Sequence, residues 1–196
     1  MLAAVGLLAI PAATASAHRH HHARRHHHAR HHHGHAAANC PNADTPATAA
    51  SKQEMRTAVV CLINAQRAGR GLPPLSTNSR LDRSAQLWTD MMVRTGQFTH
   101  GTDFSSRISA TGFVWSFAGE NIASGFQTPR EVVNGWMGST GHCQNILNPN
   151  YADVGTGVDT HPLPGFGPAT WTQDFALWMG HTPPSQNTGP MSGCPY

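Results

Sequence analysis

Helical spacing of apolar residues early in the chain, followed by aromatic-rich strand segments near its end, restricts the fold to one that packs both kinds of element. Met55, Val59, Leu62 and Ile63 recur at helical intervals, which predicts an amphipathic helix over 53–67 ending near Gly69 and Gly71. A second helix is expected from a cap at Ser79 to a stop at Gly96, with Leu81, Ala85, Trp88 and Met92 on one face and Trp88 in the core. A short third helix covers 103–110 before Gly112. Thr128, Pro129 and Glu131 give agreeing start signals for a fourth over about 131–138, with Val132, Val133 and Trp136 inward and Glu131 assigned to capping. Segments 153–160 and 169–179 read as strands joined by the Pro/Gly-rich connection 161–168, and 113–118 as a further strand. Helices first and antiparallel strands later describe an α+β fold.

The first 17 residues form an apolar run broken at Pro11 and ending in Ala15-Ser16-Ala17, the small-x-small pattern that a signal peptidase accepts. Residues 1–17 are therefore expected to be a signal peptide, although the usual basic start is missing. No later segment is long and apolar enough to cross a bilayer, so no transmembrane segment is expected in the mature chain. Residues 18–38 are expected to be a disordered arm, because 18–35 hold eleven of the fifteen histidines and four of the thirteen basic residues. Outside that tract, nine basic and ten acidic residues remain. The apparent basicity thus belongs to the arm, and the body offers no basic face for nucleic acid. The arm itself has three readings: an extracellular metal buffer, an acid-dependent attachment to an anionic wall, or a solvated spacer.

Cys40, Cys61, Cys143 and Cys194 are an even set without a CxxC pair, which in an exported chain favours two disulfides over a metal cluster. Three pairings are open. The favoured one joins Cys40 to Cys61, pinning the N-terminal segment to the first helix, and Cys143 to Cys194, pinning the tail. The expected organisation is a linker over 39–52, one domain over 53–182, and a Pro/Gly-rich tail over 183–196 tied by a disulfide.

Several polar residues sit in Gly- or aromatic-flanked motifs that a core would not demand. These are His100 in QFTHG, Glu120 and Asn121 in AGEN, His142 in STGHCQNILNPN, and Gln173 and Asp174 in WTQDF. With Asn64 and Arg67 ahead of GLPPL, they resemble in order the CAP family (SCP-like, cysteine-rich secretory, antigen 5 and pathogenesis-related proteins), in its bacterial secreted branch, over about 59–178. The resemblance implies an α-β-α sandwich with a central antiparallel sheet, and a cleft on which His100, Glu120 and His142 converge with a second acid. Members with that second acid carry it three residues after a helix tryptophan, whereas here Met137, Gly138 and Ser139 follow Trp136. Asp174 is the nearest replacement. Glu120 is placed in a Gly-flanked loop, and Asn121, Asn145 and Asn148 in structural roles satisfying turn backbone. Asn64 and Arg67 are read as helix-end and loop hydrogen bonders.

Two imidazoles and a carboxylate suit a divalent metal, zinc above others, so His100, Glu120, His142 and Asp174 are the candidate ligands. The leading expectation is a secreted, extracellular binding module whose cleft holds a divalent ion, a small ligand, a lipid or a cell-wall component. One alternative is a metal-assisted hydrolase of peptide or cell-envelope polymer, with His100, Glu120 and His142 catalytic and Glu120 the base. The other is a structural surface protein in which the same residues form a hydrogen-bonded network.

Overall fold

The structure, a computed structural model, describes residues 39–195; the expected signal peptide and histidine-rich arm lie outside the described residues. The elements run α1 (Lys52–Ala68), β1 (Ser76–Thr77), α2 (Ser79–Thr95), α3 (Phe104–Ala110), β2 (Trp115–Ser124), α4 (Pro129–Met137), α5 (Thr140–Ile146), β3 (Asp153–Asp159), β4 (Thr170–Trp178) and α6 (Gly189–Ser192). The strands form one sheet in the order β1-β3-β4-β2. β3, β4 and β2 are antiparallel, while the two-residue β1 pairs parallel with β3.

Strand alternation decides what each face meets. Val154, Val158, Trp171 and Phe175 point to the main core, which α1 completes with Met55, Val59 and Ile63 and α4 with Val132, Val133 and Trp136. On the opposite face Leu81, Ile108, Phe113 and Ala176 make a smaller cluster with α2 and α3. The result is helices on both sides of a sheet. Gly155 and Gly157 explain how α2 lies so close to β3: a Cβ at Gly155 would sit 2.0 Å from the Leu81 carbonyl carbon, and one at Gly157 2.4 Å from the Ala85 oxygen.

Both sheet edges are closed by side chains, which removes their capacity to pair with another strand. Along β3, Asp82 accepts from Thr156 N at 2.9 Å, and the Gln86 amide both accepts from Val158 N and donates to its oxygen. Along β2, the carbonyls of Ala118, Glu120 and Ile122 accept from Tyr151 Oη, Asn145 Nδ2 and Trp136 Nε1.

The start signals act as expected at α4, where Thr128 and Glu131 form a reciprocal capping box. The same device at Ser51 and Glu54 opens α1. At α2 the cap is Asn78, not Ser79, because Asn78 holds the extended conformation and its side chain accepts from Arg80 N. Asn64 exchanges two hydrogen bonds with the Leu75 backbone. Arg67, wholly buried, donates to the carbonyls of Pro73, Ile146 and Asn148, tying the NILNPN segment to α1. Burial lowers its guanidinium to about 10, so it stays charged at neutral pH.

Residues 39–52, read as a linker, instead pack on the core through Cys40, Ala43 and Ala47. Their backbone bonds the β2–α4 turn and α4, from Ala47 N to Gln127 O and from Arg130 N to Ala43 O. The bridges are Cys40–Cys61 and Cys143–Cys194.

Candidate functional site

Glu120 lies in the middle of β2 and not in a loop. The glycine before it serves close packing: a Cβ at Gly119 would meet Tyr151 Oη at 2.3 Å. Because β2 is an edge strand, the Glu120 side chain reaches the rim of the sheet while remaining 1% exposed. One of its oxygens takes His100 Nδ1 at 2.7 Å, and the other accepts from Arg107 Nη2. Facing a carboxylate, Nδ1 is the donor nitrogen of His100, which leaves Nε2 as the acceptor of the neutral ring.

Arg107 is the member of this cluster that sequence reasoning missed. It stands on the short helix α3, and its Nη1 also donates to the His100 carbonyl at 3.0 Å. Its guanidinium lies 3.8 Å from the centroid of the Trp88 ring, whose indole N–H donates to Thr99 O. Trp88 is therefore not the core residue its spacing on α2 suggested; half-buried, it forms the platform on which the arginine rests. No periodicity marks Arg107, because its partners come from β2, α2 and the segment after α2.

His142 is carried by α5, a helix the sequence reading did not anticipate. Burial, and next the nearby His100, push its imidazole below the ordinary value of 6.5, so it is neutral at physiological pH. The α5 segment is locked to β2 by Asn121 Nδ2 donating to His142 O, and by Asn145 Nδ2 donating to Asn121 Oδ1 at 2.9 Å. The amides of Asn121 and Asn145 thus position the site, with Asn145 on the cleft wall as well. His100, Glu120 and His142 come together on an open cleft of about 510 Å³, whose wall also includes Ser139, Gln144, Asn145 and Asn148.

Asp174 and Gln173 face opposite sides of β4, and neither lines this cleft. Asp174 pairs in register with Glu120, but β4 is an interior strand, so its side chain is enclosed beneath α2. It does not stand beside His100 and His142 as a fourth ligand. Neither of its carboxyl oxygens makes a hydrogen bond of standard geometry among the described residues, although the Ser84 hydroxyl and the Glu120 carboxyl lie beside it. Burial, and then the charge of Glu120, hold this carboxyl well above the usual value of 3.8. A raised folded-state value means stability that is present below about 3.8 and lost as pH rises through the folded value. Asp174→Asn keeps the shape without the charge, so it should remove that pH dependence and raise stability at pH 7 by on the order of 1 kcal/mol. Urea unfolding at pH 4 and pH 7 checks this; an equal loss of stability at both values would contradict it.

Residues 60–175 match the profile of the CAP, or cysteine-rich secretory protein, family, and the chain belongs to that family. It is 40% identical over 123 residues to an uncharacterised protein of Bacillus subtilis, YkwD, covering 60% of this chain and 45% of that one. It is 29% identical over 105 residues to an uncharacterised membrane protein of the same organism, YlbC, covering 52% and 30%. The chain thus spans less than half the length of these curated relatives. Among solved structures, an extracellular protein containing a SCP domain from Bacillus anthracis aligns with a TM-score of 0.55 at 23% identity, over 65% of this chain and 44% of that one. An outer surface protein of Borrelia burgdorferi aligns at 0.53 and 21%, over 59% and 86%. At these identities the likeness is one of fold, and it agrees with the α-β-α arrangement. No helix among the described residues is long and apolar enough to cross a membrane.

Proposed function

We propose that this chain is a secreted, extracellular binding module whose cleft holds its ligand at the imidazoles of His100 and His142, with a first-row divalent ion of the zinc class at that pair. The observation that carries the reading is the pairing of His100 Nδ1 with the buried Glu120 carboxylate. A carboxylate behind an imidazole fixes the ring and its tautomer and makes the other nitrogen a more basic metal ligand. His142, neutral because it is half-buried, supplies the second nitrogen on the same cleft. Among the described residues, no group of three or more His, Cys, Asp or Glu side chains is placed to hold a metal. An ion there would rest on the two imidazoles alone, with its remaining positions taken by ligand or water. Bound there, zinc would supply an electrostatic anchor for a polar ligand atom.

Both oxygens of Glu120 are already matched by His100 and Arg107, which supports binding over hydrolysis, since a base needs a free oxygen toward the reacting water. The disulfides, and the likeness to an extracellular protein and an outer surface protein, support placement outside the cytoplasmic membrane.

Because the clustered imidazoles of the histidine tract would compete for zinc, the test reads the His100 and His142 side-chain resonances of the full chain during a zinc titration. Both should shift together, and His100→Ala should weaken the His142 response by more than the roughly 10- to 100-fold that follows loss of an outer-shell partner. If neither resonance moves while the tract saturates, the imidazole pair is not a zinc site.

A further inference from the structure

Beside the polar cleft, and sharing Ser139 and His142 with it, runs an apolar groove of about 260 Å³ walled by Phe98, Ile122, Phe126 and Phe166. The three phenylalanines come from three separate segments: the turn after α2, the β2–α4 turn and the β3–β4 connection. Two glycines are required to bring them there. A Cβ at Gly135 of α4 would stand 2.5 Å from the tip of the Phe126 ring, and one at Gly125 would stand 2.5 Å from the Phe166 carbonyl oxygen. Gly125 also holds φ +87°, a conformation that L side chains rarely adopt. The Phe98 and Phe166 rings pack at a tilt of 38° with centroids 4.8 Å apart, and Phe166 remains 47% exposed. An aromatic cluster assembled from distant segments and left open to solvent is a binding feature more than a core.

We propose that cleft and groove together take an extended, uncharged peptide segment, with an apolar side chain among the phenylalanines and its main chain along the amides beside His142. The inference deepens the reading of the cleft as a binding site and rests on it. Neither half is lined by a lysine or arginine, which disfavours phosphate or carboxylate headgroups. The polar wall instead offers the Gln144 amide, which both donates and accepts as a peptide unit does, with the Asn145 side-chain oxygen as a further acceptor, since Asn145 Nδ2 is already given to Glu120 O and Asn121 Oδ1. A simple alkyl chain would leave those groups unmatched. Strand addition is closed to the peptide, because Tyr151, Asn145 and Trp136 occupy the β2 carbonyls, so side-chain recognition is the route that remains.

Backbone amide resonances of the full chain, titrated with N-acetyl-Ala-Phe-Ala-amide, N-acetyl-Ala-Ala-Ala-amide and octanol, test the assignment. The phenylalanine peptide should shift the signals of Ser124, His142 and Phe166 together. It should bind about tenfold more tightly than the alanine peptide, and Phe166→Ala should remove about the same factor. Equal binding of the two peptides, or groove shifts with octanol and with neither peptide, would overturn the proposal, as would no shift with any probe. Phe166 reports the groove and the two imidazoles report zinc. Loss of the first response with the second intact therefore overturns the peptide assignment alone, and the reverse overturns the metal assignment alone.

Discussion

Gly155→Ala should destabilise the folded chain by about 3 kcal/mol or more, the upper range for overpacking, because the added methyl has nowhere to go. Its Cβ would meet Leu81 C at 2.0 Å and Asp82 N at 2.1 Å, both backbone atoms of α2 that no rotamer change can move. The helix would have to lift from β3, losing the Asp82 bond to Thr156 N and loosening the enclosure of Asp174. Gly141→Ala on α5 is the comparison, since its Cβ would meet nothing within 4 Å. There the gain in helix propensity should leave stability unchanged or raise it by up to about 1 kcal/mol. Urea unfolding of the two variants checks both expectations. A Gly155→Ala loss no larger than that of an ordinary surface substitution would mean that α2 does not lie directly on the strand.

Arg107→Ala should cost about 3 kcal/mol, the lower end of the range for breaking a buried ion pair, since the arginine is 20% exposed while Glu120 is 1% exposed. The loss comes from the carboxylate left without its cation and from the vacated face of Trp88. Glu120→Gln on the Arg107→Ala background should restore most of the stability, because a neutral amide needs no counter-charge. Conversely, His100→Ala alone should cost only about 1 kcal/mol, since its ring is half exposed and Arg107 still holds the carboxylate. Unfolding by denaturant, with the variants taken as a cycle, separates these terms. A penalty below about 1 kcal/mol for Arg107→Ala would show that water reaches Glu120 freely.

The arginine also reveals why part of the site was legible in the chain and part was not. His100, Glu120 and His142 announced themselves through glycine- and aromatic-flanked motifs, and the structure brings all three to one cleft. Asp174 was legible as a carboxylate out of place, but its environment was not, because a strand's own pattern does not say whether it lies at an edge or inside the sheet. Trp88 shows the converse error. Its spacing with Leu81, Ala85 and Met92 on α2 reads as core, yet it stays partly exposed and its ring face carries the Arg107 guanidinium. Glu120 was read as a loop residue because its glycine neighbour suggested a turn; Gly119 answers to Tyr151, about thirty residues away in the chain, and nothing local distinguishes the two uses.

By itself the sequence determined what depends on near neighbours. The period of apolar residues set α1 and α2, the reciprocal Thr128–Glu131 cap started α4, and residues 153–159 and 170–178 carried enough strand character to be placed within a residue or so. The ordered motifs shared with the CAP family also pointed to its fold. Tertiary structure alone decided which face each strand shows to which helix, that the 39–52 segment joins the core, and that Arg107 takes the second oxygen of Glu120. It also gathered three phenylalanines beside the imidazoles. Periodicity and capping act over one or two helical turns, whereas burial, charge pairing and close backbone approach are set between segments that meet only when the sheet and its two helical layers close.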